Sequence, residues 1–98
     1  MLVNIIKSYR TTVTICDSDL IGKTFQEGKA QLDIKESFYK GEEKTPEQAE
    51  EIIKGFIQED ATFNIAGKES INLALKIGMI NQQGIKTVQS VPFALVLL

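Results

Sequence analysis

No segment leaves the chain less freedom than Thr45-Pro46-Glu47-Gln48 and the apolar residues that follow it, Ala49, Ile52, Ile53, Phe56 and Ile57. Thr45 can accept from a free amide of a helix start, Pro46 suits the first helical position, and Gln48 completes a capping box three residues after the threonine. The apolar residues recur at the spacing of one buried helical stripe, while Glu50, Glu51, Lys54 and Gln58 face water. A helix with one apolar face must be covered, so the rest of the chain has to supply a second layer. Gly55 sits inside this helix at a cost of about 1 kcal/mol relative to alanine, which marks an expected close approach by another element.

A second helix is predicted from Lys68 to Ile77, with Ile71, Ala74 and Leu75 inward and Gly78 placed to stop it. Leu2 to Tyr9 and Thr12 to Cys16 are rich in Val, Ile, Thr and Tyr and read as a strand hairpin. Lys29 to Lys35 alternates, with Ala30, Leu32 and Ile34 on one side, and reads as a third strand. Ile85 to Val88 and Pro92 to Leu98 complete the strands, separated by a turn at Gln89 and Ser90. Strands, two helices and strands again, without regular alternation, predict an α+β two-layer sandwich: a mostly antiparallel sheet with two helices packed on one face.

Ninety-eight residues suit a single domain, 1–98, and are too few for two independent cores. With 13 acidic and 11 basic residues there is no global field to attract DNA or an anionic membrane, and neither is expected as a partner. The first residues do not read as a cleaved leader. The apolar run Val91 to Leu98 is far shorter than the ~20 residues of a membrane span. Cys16 is the single cysteine, which excludes an internal disulfide and a cysteine-built zinc site and fits a cytoplasmic setting.

Gly22-Lys23-Thr24 matches the end of a phosphate-binding P-loop, but the first glycine of that motif would fall on Asp17, a negative charge where phosphate should lie. Asp17, Asp19 and Gly22 match three places of a calcium loop whose fifth and twelfth places are Ile21 and Gly28, which offer no side-chain oxygen. Asp17 or Ser18 is therefore expected to cap a helical turn running to Gly22. Histidine is absent, which removes the usual general base and metal ligand and excludes Ser-His and Cys-His nucleophiles. Cys16, beside Asp17, is expected to be buried and inert. No catalytic residue, cofactor or metal site is predicted.

Two Gly-Lys pairs remain. Gly67-Lys68 stands where the second helix begins, where unpaired amides and the positive end of the helix dipole favour an anion. Gly22-Lys23 closes a turn whose backbone can form a similar concavity. Gly22, Lys23, Thr24, Gly67 and Lys68 are thus the candidate contacts for an anion or partner, against the ordinary reading of two turns with solvated lysines. Asp17, Asn64 and Tyr39 are secondary candidates, Tyr39 as a surface stacking residue against the ordinary reading of a half-buried tyrosine.

Cys16-Asp17, Leu20-Ile21-Gly22-Lys23-Thr24-Phe25, Glu27-Gly28, Phe38-Tyr39, Gly41, Asn64-Ile65-Ala66-Gly67-Lys68, Ala74, Gly78 and Val91-Pro92 together resemble an archaeal family known as domain of unknown function 424. The resemblance implies an archaeal cytoplasmic protein with a compact two-layer fold and no established activity. The family pattern often carries a histidine after the proline and a polar residue two further on; here those places are Phe93 and Leu95, so no role that needs the histidine is carried over. The expected function is a non-enzymatic binding module for a protein or ribonucleoprotein partner, linked to translation by association. The alternative is a small-molecule or phosphate-binding enzyme subunit completed at a homodimer interface.

Overall fold

A computed structural model of the chain describes residues 1–97. Among the described residues eight strands and three helices form in the order β1 (Leu2–Ile6), β2 (Thr12–Cys16), β3 (Thr24–Glu27), β4 (Ala30–Asp33), α1 (Glu36–Tyr39), β5 (Glu42–Glu43), α2 (Pro46–Ile57), β6 (Thr62–Ala66), α3 (Lys68–Ile77), β7 (Lys86–Val88) and β8 (Val91–Val96). Single 3-10 turns stand at Ser18–Leu20 and Gln82–Gly84. Six strands build the main sheet in the order β5-β1-β2-β6-β8-β7, and β3 and β4 form a separate two-stranded ribbon. Among the described residues only β2 and β6 run parallel, and every other pairing is antiparallel. The α+β fold, the mostly antiparallel sheet and the two long helices on one face agree with the sequence.

α2 starts as its capping box dictates. The Gln48 amide donates to Thr45 Oγ1 at 3.2 Å and the Thr45 amide to Gln48 Oε1 at 3.0 Å. Ala49 and Ile53 are buried, with Ile52, Phe56 and Ile57 packed at the margin of the same cluster. The expected close approach at Gly55 is not found: a Cβ there would meet nothing within 4 Å, so this glycine sits on the solvent face. α3 matches its predicted bounds and ends in a left-handed Gly78, whose amide reaches the Ala74 and Leu75 carbonyls. Ile71 and Ala74 turn inward as expected, joined by Leu73, while Leu75 lies at the edge of the cluster.

Register explains both faces of the sheet. Val3, Ile15, Ile65 and Ala94 lie side by side across β1, β2, β6 and β8, and point with Val13 and Phe63 toward α2 and α3. Phe63, Ile15 and Val13 are fully buried there, each worth roughly 1.5–3 kcal/mol of apolar transfer. On the other face the neighbouring row, Leu2, Cys16, Ala66 and Phe93, packs against Leu32 and Ile34 and the α1 residues Phe38 and Tyr39. The ribbon and α1 thus cover one end of that face and give the protein a second, smaller core.

Four elements escaped the sequence reading: β3, α1, β5 and the central strand β6. The Lys29–Lys35 strand contracts to Ala30–Asp33 and joins the ribbon; Leu32 and Ile34 are buried but Ala30 is exposed. The first strand ends at Ile6 because Ser8, Tyr9 and Arg10 bend into the hairpin loop. The last strand spans Val91–Val96, and Leu98 lies outside the described residues. Gln89 and Ser90 both take positive φ, +50 and +65, the two-residue turn whose twist suits a hairpin.

Candidate functional site

The parallel pair ends at Cys16 on β2 and Ala66 on β6, which face each other in register. Asp17 and Gly67 follow directly, and crevices beyond the carboxyl ends of parallel strands are where open sheets place ligands. The Asp17 amide donates to the Ala66 carbonyl at 3.1 Å, and the Gly67 amide to the Pro92 carbonyl at 2.8 Å. Those two bonds carry the ladder past the strand ends and hold the start of α3 beside β8.

Asp17 does not cap the turn it begins; no side-chain cap bond forms there. Its carboxylate crosses to α3, where Oδ2 accepts the Glu69 amide at 3.0 Å, and Oδ1 accepts the Ser70 amide at 2.9 Å and the Ser70 hydroxyl at 2.8 Å. A helix start leaves amides unbonded and attracts negative charge, and here the chain supplies that charge itself. Gly67 is required by the same contact. Its φ is +106, and a Cβ would fall inside the Asp17 carboxylate.

The first Gly-Lys pair is held by bonds of its own. The Gly22 amide donates to the Ile34 carbonyl at 2.8 Å and the Lys23 amide to the Leu20 carbonyl at 3.0 Å. Thr24 opens β3 and donates its hydroxyl to Asp33. These bonds tie Gly22, Lys23 and Thr24 to the ribbon, with Gly22 beside Glu36. A crevice of about 210 Å³ lies instead between the Ser18–Leu20 turn, Gly67-Lys68 and Ser90–Pro92, and none of Gly22, Lys23 and Thr24 lines it. Lys23, Lys68 and Asp19 remain exposed around this end of the sheet.

Tyr39 is no surface stacking residue. It is 7% exposed in the second core, edge-on to Phe38 at 5.2 Å between ring centroids, and burial pushes its hydroxyl up to about 12. Asn64 is half-buried in the row Asn4, Thr14, Asn64, Leu95, away from the crevice. Cys16 is fully buried; burial first, then the neighbouring Asp17 charge, pushes its thiol up to about 11, which keeps it neutral and unreactive. Among the described residues no three His, Cys, Asp or Glu side chains gather to hold a metal ion. Ser70, the partner of Asp17, was not singled out in the sequence, where a contact spanning 53 positions leaves no local signal.

These features define a small mixed α and β domain with a self-capped helix start at the end of its parallel strand pair. The chain belongs to the family described as Protein of unknown function (DUF424), which matches residues 6–98. It is similar to the crystal structure of an uncharacterized conserved protein from Methanopyrus kandleri, with 25% identity and a TM-score of 0.84 over 98% of this chain and 90% of that one. No curated protein matches it. No helix among the described residues is long and apolar enough to cross a membrane.

Proposed function

We propose that the protein is a non-enzymatic binding module for a protein or ribonucleoprotein partner in a translation-linked, cytoplasmic setting, contacting it at the carboxyl end of the β2–β6 pair through the surroundings of Gly22, Lys23, Thr24, Gly67 and Lys68. One observation supports this above the others: the Gly22, Lys23, Gly67, Glu69 and Ser70 amides are bonded within the chain, while the Lys23 and Lys68 side chains are exposed. Gripping a small phosphate needs free amides converging on it. Exposed Lys68 at the crevice and exposed Lys23, whose amide bonds Leu20 beside it, suit a larger acidic surface, where opposite charge favours encounter and register. Cys16 and Tyr39 are buried and hold their protons, so neither offers a nucleophile at this surface.

The test is affinity capture from extracts of the source organism, with the wild-type protein and the Lys23→Ala, Lys68→Ala double variant side by side. A partner retained by the first and lost by the second is the expected result. A nucleotide or metabolite retained equally by both would favour the enzyme-subunit alternative.

A further inference from the structure

The Ser18–Leu20 turn is a thin wall between two hollows. Asp19 and Leu20 line the crevice of about 210 Å³ on one side, while Ser18 and Ile21 line a hollow of about 330 Å³ on the other, together with Glu36, Lys40 and Glu43. At its start the wall is fixed through Asp17, which bonds β6 and α3, and at its end the Gly22 amide ties it to Ile34. Between those points its backbone bonds are internal, from Leu20 to Asp17 and from Lys23 to Leu20. They shape the turn without setting where it stands.

Glu43 supplies the missing tether, from 25 residues further along the chain. The Ser18 hydroxyl donates to its carboxylate, at 2.6 Å to Oε1 and 2.8 Å to Oε2. Glu43 is itself held on β1, where it stands opposite Leu2 in the ladder and accepts from the Met1 amino group. The bond from Met1, and then that from Ser18, keeps its carboxyl below the ordinary value, so it is charged at neutral pH. A hydrogen bond to a charged acceptor is shorter and stronger than a neutral one, which suits it to hold a turn against its own fluctuations.

We propose that Glu43 is a positioning residue of the candidate binding surface: through Ser18 it holds the wall of the crevice in place, and with it the seat of Lys23, whose amide is bonded to Leu20. The proposal rests on this end of the β2–β6 pair being the surface that binds. Glu43 does not line the crevice and lies on the far side of the wall, so it acts on that surface through Ser18 alone.

The test is amide hydrogen exchange of the full chain, comparing the wild type with Ser18→Ala, Glu43→Ala, Glu43→Gln and the Ser18→Ala, Glu43→Ala double variant. Ser18→Ala and Glu43→Ala are each expected to speed exchange at Leu20 and Lys23 by about two- to tenfold, the measure of one exposed hydrogen bond. The double variant should exceed neither, because both changes remove one interaction. Glu43→Gln keeps an oxygen for Ser18 and should stay nearer the wild type. Ile15 and Ile65, in the central strands, should exchange as before in Ser18→Ala. Unchanged exchange at Leu20 and Lys23 in Ser18→Ala, or an equal rise at Ile15 and Ile65, would overturn the proposal; should Glu43→Ala fail to fold, Ser18→Ala and Glu43→Gln decide. A short RNA and an oligoglutamate peptide, titrated at low salt and followed at the Lys23 and Lys68 amides, then read the consequence for binding. Whichever moves the wild type should bind Ser18→Ala about two- to tenfold more weakly, and equal affinity would overturn the positioning role. If neither moves the wild type, the binding reading fails, and the exchange comparison alone decides whether Glu43 holds the wall.

Discussion

The Asp17 carboxylate at the end of β2 accepts both the backbone amide and the hydroxyl of Ser70 in the first turn of α3, 53 residues further along the chain. This contact ties the central strand to the helix that covers it, and fills from inside the position an external anion would otherwise take. Asp17→Ala should cost about 1–3 kcal/mol, since it strips a charged cap and leaves buried donors unpaired. Ser70→Ala should cost less, and the double variant should fall short of the sum because both remove one interaction. Denaturant titration of the four proteins checks this; strict additivity would mean the two side chains act separately.

Ile53 lies 1% exposed under the sheet and Glu50 looks outward to Lys54 and Lys76. Ile53→Ala should lose about 2–5 kcal/mol to lost burial and a residual cavity. Glu50→Ala should change stability far less, because exposed ion pairs contribute little. Equal losses in the same titration would overturn the phase of α2.

How much of this could be read from the sequence follows from the range of each signal. α2 was legible because its cap and its stripe lie within one short stretch, and α3 because Gly67 and Gly78 bracket it. β6 was not, although Phe63 and Ile65 alternate with Thr62 and Asn64. Its flanking Ala61, its last residue Ala66 and its place between two helices resemble a connector, and only pairing with β2 and β8 makes it the centre of the sheet. β3 and β5 are short, polar and charged, and owe their strand form to their partners. At the site, glycine and lysine positions were legible, but the role of Asp17 depends on the fold bringing it to Ser70.

Cys16 makes stability fall in alkali. Its thiol ionises near its ordinary value of 9 when unfolded and only at about 11 when folded, so between those values the unfolded chain has lost a proton that the folded one keeps, and stability decreases as pH rises. The full loss by pH 11 is on the order of 2–3 kcal/mol. Urea titrations at pH 8 and pH 10.5 should show a fall that Cys16→Ala largely removes. A thiol reagent at pH 8 should label the native protein slowly and the unfolded protein fast; rapid native labelling would contradict the burial of this group.

The Gln89-Ser90 turn holds two side-chain-bearing residues at positive φ. Asn-Gly suits that conformation without the steric cost, so Gln89→Asn with Ser90→Gly should raise stability by about 1 kcal/mol. A thermal midpoint unchanged or lowered would mean that the loop's contacts, such as the Gln89 amide on Glu27, outweigh backbone strain.

The most direct test of a binding surface built on lysine side chains, with the Gly67, Glu69 and Ser70 amides already bonded, is an amide-shift titration at low salt with inorganic phosphate, a nucleotide and a short RNA. The predicted result is that Gly67, Glu69 and Ser70 stay unmoved by phosphate and nucleotide, because Asp17 and Pro92 hold their amides, while any response to RNA is confined to the surroundings of Lys23 and Lys68 and disappears in their double alanine variant. Saturable shifts of Gly67, Glu69 and Ser70 with phosphate or nucleotide would contradict it and place a small-anion site at the start of α3.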